Sequence, residues 1–184
     1  PSEVLTSDKI NYYKKNNPNE KVYVGPSESM SKSKRNTIDP EQMIESYGAD
    51  AVRLFILSDS PPEKDVQWSE QGMTAAYKFV QKFWTLNTKI LEKINKSSDD
   101  KNLEADLELE KYTNQLINKI NNNLSKFNYN VIIANMHETY NFLFKHLEKE
   151  ISKNPLKENY KKILTIFSPS FPHRIFVSLE RLNY

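Results

Sequence analysis

The sequence contains no cysteine, three histidines and three glycines in 184 residues. Without cysteine there are no disulfides, no thiolate zinc sites and no cysteine nucleophile. Three scattered histidines (His137, His146 and His173) disfavour a histidine-based metal cluster, and no metal site is expected. Average glycine use is roughly 7%, and nucleotide-binding α/β domains need several glycines for their phosphate turns. A self-contained dinucleotide-type domain is therefore disfavoured. Long apolar runs are also missing. The longest are four residues, Leu54–Leu57 and Val131–Ala134, too short for a membrane span or a secretory core. No membrane partner is expected, and the cytoplasm is the expected compartment.

Charged residues make up 27% of the chain, yet the formal net charge is only +2, so bulk electrostatics select no partner. The cations are lopsided, 22 Lys to 4 Arg, and Asn numbers 20. This pattern fits an A/T-rich genome and lowers the meaning of any single lysine.

Ile10–Tyr13 and Lys21–Val24 are short β-prone runs. The intervening Lys14–Glu20 contains Asn16-Asn17-Pro18-Asn19, which is turn chemistry, so a β-hairpin is expected. A polar loop, Ser27–Asn36, follows Gly25-Pro26. From Asp39 the pattern becomes helical. Asp39 is placed to cap, Pro40 takes the first helical position and Gln42 completes a capping box. Gly48 ends this helix. Ala49–Ser58 is a second helix, apolar on nearly every side except Arg53, and is expected to be buried. Ser60-Pro61-Pro62 breaks it, and Ser69 can cap the next.

Four helical stretches follow, about 70–96, 104–126, 129–152 and 156–182, the last broken near 168–172. The expected core faces are Phe79, Phe83, Leu86, Ile90 and Ile94; Leu107, Leu116, Ile120, Leu124 and Phe127; and Val131, Ile132, Met136, Tyr140, Phe144 and Leu147. The fold class is mainly α: a short N-terminal β-hairpin and basic loop, then an antiparallel helical bundle. Residues 1–60 and 61–184 are expected as two domains.

Chemistry concentrates in one loop. Met30-Ser31-Lys32-Ser33-Lys34-Arg35-Asn36 has three consecutive-to-alternate cations interleaved with hydroxyls and no acid before Asp39. Ammonium groups on flexible stems, hydroxyl donors and free backbone N–H groups suit a mobile anion-binding loop. Composition alone also permits a merely solvated basic loop. Elsewhere, a buried Arg53 calls for an acidic partner or carbonyls, with a nearby acid such as Asp50, Asp59 or Asp65 the first expectation and a direct ligand contact the alternative. Trp68 reads as a packing anchor and His173 as a hydrogen-bonded bundle residue.

The series Ser29-Met30-Ser31-Lys32-Ser33, Asn36, Ile38-Asp39-Pro40, Tyr47-Gly48-Ala49-Asp50 and Arg53 resembles the class I aminoacyl-tRNA synthetases at their Lys-Met-Ser-Lys-Ser loop. The continuation Leu54–Pro61, Trp68-Ser69-Glu70 and Gly72 is similar to the bacterial leucyl branch. Phe127-Asn128 and Pro172-His173 are similar to its helical anticodon-binding domain. The resemblance runs from about residue 20 to the end and is most specific over 25–72.

The resemblance implies part of a leucine–tRNA ligase. This segment would supply the mobile ATP-phosphate loop (Ser29, Met30, Ser31, Lys32 and Ser33) and a tRNA-facing helical domain. Lys32 would act on the phosphates, Ser31 and Ser33 would donate or fix the loop, and ATP with Mg2+ would be the cosubstrate. Ser29 stands where the family has its first lysine, and Lys34 and Arg35 are the candidates to replace that cation. The family's His-Ile-Gly-His motif is absent.

The segment is therefore expected to be an excised fragment. It would partner tRNA(Leu) and the catalytic and editing domains of the same polypeptide, would not bind DNA, and would be inactive alone. The alternatives are a stand-alone helical RNA- or protein-binding module, or the same region of a sibling class I enzyme. A further candidate tRNA surface is a stripe of Lys78, Lys82, Lys89, Lys93 and Lys96, which fall within an arc of about 60° at 100° per residue.

Overall fold

The computed structural model describes residues 4–8, 11–26, 28–98 and 104–183. Ile10 and Ser27, which the sequence assigns to a strand and to the loop, lie outside the described residues. Two compact units form, Pro1–Ile38 and Asp39–Tyr184.

In the first unit, β1 (Val4–Asp8), β2 (Asn11–Lys14) and β3 (Asn17–Val22) form an antiparallel sheet in the order β1-β2-β3. The expected hairpin is β2–β3, with Tyr12 opposite Val22 and Tyr13 opposite Lys21. Its turn is tighter than the sequence suggests. Lys15-Asn16 makes the reversal, and Asn17-Pro18-Asn19 lies in β3. Proline is tolerated there because β3 is an edge strand of this sheet and needs no ladder donor on its open side. Lys14 and Glu20 pair across the hairpin at 2.5 Å. Strand β1 was not foreseen.

The second unit is helical: α1 (Pro40–Tyr47), α2 (Ala49–Asp59), α3 (Glu70–Lys96), α4 (Glu104–Ser125), α5 (Tyr129–His146), α6 (Lys153–Phe167) and α7 (Pro172–Asn183). Asp39 caps α1 by accepting from the Glu41 N–H at 3.0 Å, with Pro40 at the helix start. The return bond from Gln42 that would complete a capping box is not made among the described residues. Gly48, at φ 81°, separates α1 from α2, a conformation that costs other residues strain. Ser69 caps α3, accepting from the Gly72 N–H at 3.0 Å.

The unit boundary at Ile38/Asp39 differs from the expected division at residue 60, because α2 packs into the bundle. Leu54 and Phe55 of α2 are buried, and α2 packs on α3, α5 and α7. The helix is nonetheless not buried on every side: Ile56 and Arg53 are exposed. Phe55 meets Trp68 edge-on at 5.4 Å between ring centres. Gly72 faces the same ring, and a Cβ there would lie 2.8 Å from Phe55.

All five apolar residues expected on α3 are buried. On α4 the expectation is corrected. Leu107 is 57% exposed and Phe127 59%, while Ala105, Leu109 and Thr113 join Leu116 and Ile120 in the core. Leu107 and Leu116 are nine positions apart, about 180° at 100° per residue, so one face cannot hold both. On α5 the buried face is rotated toward Ile132, Ile133, Met136, Thr139 and Leu143, leaving Val131 and Phe144 exposed. The helix stops at His146 rather than running to 152.

Helices α4 and α5 run antiparallel: Tyr112 stacks on Phe142 at 3.8 Å, and the His146 Nε2–H donates to the Ala105 carbonyl at 2.9 Å. Burial lowers the His146 pKa. Helix α3 meets α5 in parallel, through Phe79 with His137 and Lys89 with Phe144. The up-down-up course is that of a bundle with short connections. No described helix is long and apolar enough to cross a membrane.

The start of α7 is capped from another helix. The Asp50 carboxylate of α2 accepts from the backbone N–H of His173 at 3.2 Å and of Arg174 at 2.8 Å, and meets the His173 ring Nδ1 at 3.0 Å. Its side chain is 7% exposed. Asp50 is therefore not the partner of Arg53, whose Nε–H donates to the Pro169 carbonyl at 2.7 Å.

Asp50→Ala removes a buried acceptor from two helix-start donors and is expected to destabilise the helical unit by about 2 kcal/mol. Thermal unfolding checks this. Asp50→Asn, which retains one acceptor oxygen, is expected to lose roughly half as much.

Candidate phosphate-binding loop and lysine stripe

The loop after the sheet is built from local hydrogen bonds. Lys34 N–H donates to the Ser31 carbonyl and Arg35 N–H to the Lys32 carbonyl, both at 3.2 Å. They wind residues 31–35 into one turn. The Ser31 hydroxyl also accepts from the Lys34 N–H at 3.3 Å and lies 3.2 Å from the Ser33 hydroxyl. Serine side chains compete well for nearby backbone donors, which suits them to such a turn. Arg35 takes φ 53°, and the chain reverses there. Asn36 then turns back into the loop, its Oδ1 accepting from the Ser31 N–H at 2.8 Å and its Nδ2 donating to the Ser29 carbonyl at 3.4 Å.

Three cations leave this turn in different states. Lys34 pairs with Glu28 at 2.7 Å. Lys32 and Arg35 are exposed, and neither side chain has a hydrogen-bond or ion-pair partner among the described residues. Ser29 and Met30 are exposed on the approach to the turn, and Ser31 is half-buried. The turn thus presents the Lys32 ammonium and the Arg35 guanidinium to solvent, with the Ser33 hydroxyl beside them. That is a donor set for an anion with several oxygens. Lys34 is the weaker candidate to replace the cation missing at Ser29, because Glu28 already holds it. Sequence reasoning noted Asn36 only as part of a motif; its bonding role becomes visible in the folded loop.

The lysine stripe on α3 is less uniform than a helical wheel suggests. Lys78, Lys82 and Lys96 are exposed. Lys89 Nζ lies 4.8 Å from the centre of the Phe144 ring, and Lys93 Nζ donates to the Lys149 carbonyl at 2.9 Å. Lys89 therefore lies along α5 and Lys93 against the segment after it, while Lys96 stays exposed. Lys82 also acts on α5: burial first, and the Lys82 charge second, lower the pKa of His137. Two arginines missed as a pair in the sequence flank α3 on its other side. Arg174 and Arg181 of α7 stack on the Trp84 ring at 4.8 and 4.7 Å. Among the described residues no group of three or more His, Asp or Glu side chains could hold a metal ion.

Residues 14–69 match the family model for tRNA synthetases class I (I, L, M and V). The chain is 39% identical over 160 residues to the leucine–tRNA ligase of Bartonella quintana (strain Toulouse), covering 83% of this chain and 18% of the relative. It is 39% identical over 152 residues to that of Orientia tsutsugamushi (strain Boryong), covering 83% and 17%. Among solved structures, the fold is similar to the LeuRS of Agrobacterium radiobacter K84 in a ternary complex with tRNA and LeuAMS. The TM-score is 0.75, with 24% identity over 84% of this chain and 21% of that one. The chain therefore spans less than a fifth of the length of the curated relatives named here.

Proposed function

We propose that the chain is the part of a leucine–tRNA ligase, among the class I tRNA synthetases (I, L, M and V), that carries the ATP-phosphate loop and a tRNA-facing helical bundle. The observation that carries this reading is the Lys32 ammonium, unpaired among the described residues, on a loop closed by its own hydrogen bonds. Leucine activation joins the amino-acid carboxylate to the α-phosphate of ATP and releases pyrophosphate. Negative charge builds on the leaving group as the bond breaks. An ammonium brought to that group stabilises the transition state more than the ground state, and so raises the rate. Ser31 and Ser33 hold the turn, and Arg35 is the second free cation in reach of the same anion. Glu28 pairs with Lys34 at 2.7 Å, which leaves Lys34 the less available cation of the three.

Mg2+ would enter this scheme with the ATP phosphates. The tRNA partner is tRNA(Leu). On the helical bundle, Lys78, Lys82 and Lys96 are the stripe residues free to meet its phosphates, while Lys89 and Lys93 are already engaged with Phe144 and the Lys149 carbonyl. The catalytic and editing portions of the same polypeptide supply the leucine pocket and the opposite side of ATP.

Two outcomes are expected. In the full-length enzyme, Lys32→Ala lowers kcat for leucine-dependent ATP–pyrophosphate exchange by roughly 10²-fold, with little change in the KM for leucine. Ser29→Ala is much milder, because that position has no cation to lose; equal damage from both would remove Lys32 from its role. In a tRNA-binding titration, changing Lys78, Lys82 and Lys96 to Gln flattens the dependence of log K on log salt by about two units, each lost phosphate contact contributing roughly 0.7–0.9. An unchanged slope would assign the stripe to solvation alone.

A further inference from the structure

The Lys32 side chain has no partner among the described residues, yet its backbone is tightly specified. Its carbonyl accepts from the Arg35 N–H. The preceding peptide N–H, of Ser31, is held by Asn36 Oδ1 at 2.8 Å, and Asn36 Nδ2 reaches the Ser29 carbonyl at 3.4 Å. The amide of Asn36 thus closes a ring from residue 29 to residue 36, with Lys32 inside it. Arg35, immediately before Asn36, adopts φ 53°, the left-handed conformation, and the chain reverses there.

The residue type fits the task. A neutral amide offers an acceptor and a donor together. A carboxylate at the same place would accept equally well, but would put a negative charge beside the one ammonium that has to meet a phosphate. Glu28 shows what such a charge does, since it takes Lys34.

We infer that Asn36 is a positioning residue for Lys32: its amide fixes the backbone from which the ammonium is delivered to the leaving phosphates. This rests on the function proposed above. Asn36 touches no reacting atom in this account. It acts by limiting the space Lys32 searches, and small misplacements of a reacting group are enough to cost one or two orders of magnitude.

The test is a set of variants in the full-length enzyme, read by leucine-dependent ATP–pyrophosphate exchange. Asn36→Ala is expected to lower kcat about tenfold with an unchanged KM for leucine. In a Lys32→Ala background the same change is expected to cost less than about twofold, because the group it positions is gone. Arg35→Gly and Arg35→Val form a second, independent pair. Both remove the guanidinium, but valine is strained at a left-handed φ and glycine is not. Arg35→Val is expected to be about tenfold slower than Arg35→Gly. A full tenfold loss from Asn36→Ala on top of Lys32→Ala would overturn the inference, as would wild-type kcat in Asn36→Ala, or equal rates for the two Arg35 variants. An absence of leucine-dependent exchange in the unmodified enzyme would instead overturn the functional reading itself.

Discussion

One buried carboxylate ties the helical unit together. Asp50 sits in the first turn of α2 and satisfies two backbone donors at the start of α7, more than a hundred residues away. The N–H groups of a helix start are unpaired by construction, and α7 follows the Ser168–Phe171 turn with no side-chain cap of its own among the described bonds. Supplying the cap from α2 fixes two helices with one residue. Nearby contacts fall into line: Phe171 is fully buried against Phe83, Arg53 holds the Pro169 carbonyl of the same turn, and Arg174 is directed onto Trp84. Gly48 sets the entry to α2, and Gly72 lets α3 approach Phe55 closely. Two positions of the Tyr47-Gly48-Ala49-Asp50 series are thus explained by architecture: Gly48 makes a helix break and Asp50 a cap for a remote helix.

The loop works by a different logic. Nothing there is deeply buried, and stability comes from short-range hydrogen bonds that give backbone groups a partner within eight residues. Serine and asparagine are the residue types that do this well. The result is a backbone with a defined course carrying two cations, Lys32 and Arg35, whose heads are unpaired among the described residues. A loop made rigid by burial would have to desolvate those charges, which is costly unless they are paired, and a paired lysine is of no use to an incoming phosphate.

How far this was legible in the sequence depends on whether the determining partner is close along the chain. Helix α3 was readable because its stripe of Phe79, Phe83, Leu86, Ile90 and Ile94 is periodic and fully buried. The caps by Asp39 and Ser69 were readable because each acts on its own helix. On α4 the correct face was also legible: Leu109, seven positions before Leu116, shares its side of the helix at 100° per residue, whereas Leu107 lies about 180° away. The role of Asp50 and the carbonyl partner of Arg53 depend on contacts across 116 or more positions, which no local pattern encodes. The loop was recognisable as an ordered series of residues, and its likeness to one synthetase branch followed from that order. The bond from Asn36 to Ser31 was not, because the chain reverses at a left-handed Arg35, a conformation arginine gives no sign of favouring.

The central claim is that this loop serves the activation of leucine. It is tested most directly by measuring amino-acid-dependent ATP–pyrophosphate exchange in the purified full-length enzyme, with leucine, isoleucine, valine and methionine each offered alone. The account predicts exchange with leucine at a kcat/KM at least a hundredfold above that of the other three, the scale on which a pocket shaped for one aliphatic side chain rejects its neighbours. Preferred exchange with isoleucine, valine or methionine, or no exchange with any of the four, would contradict it.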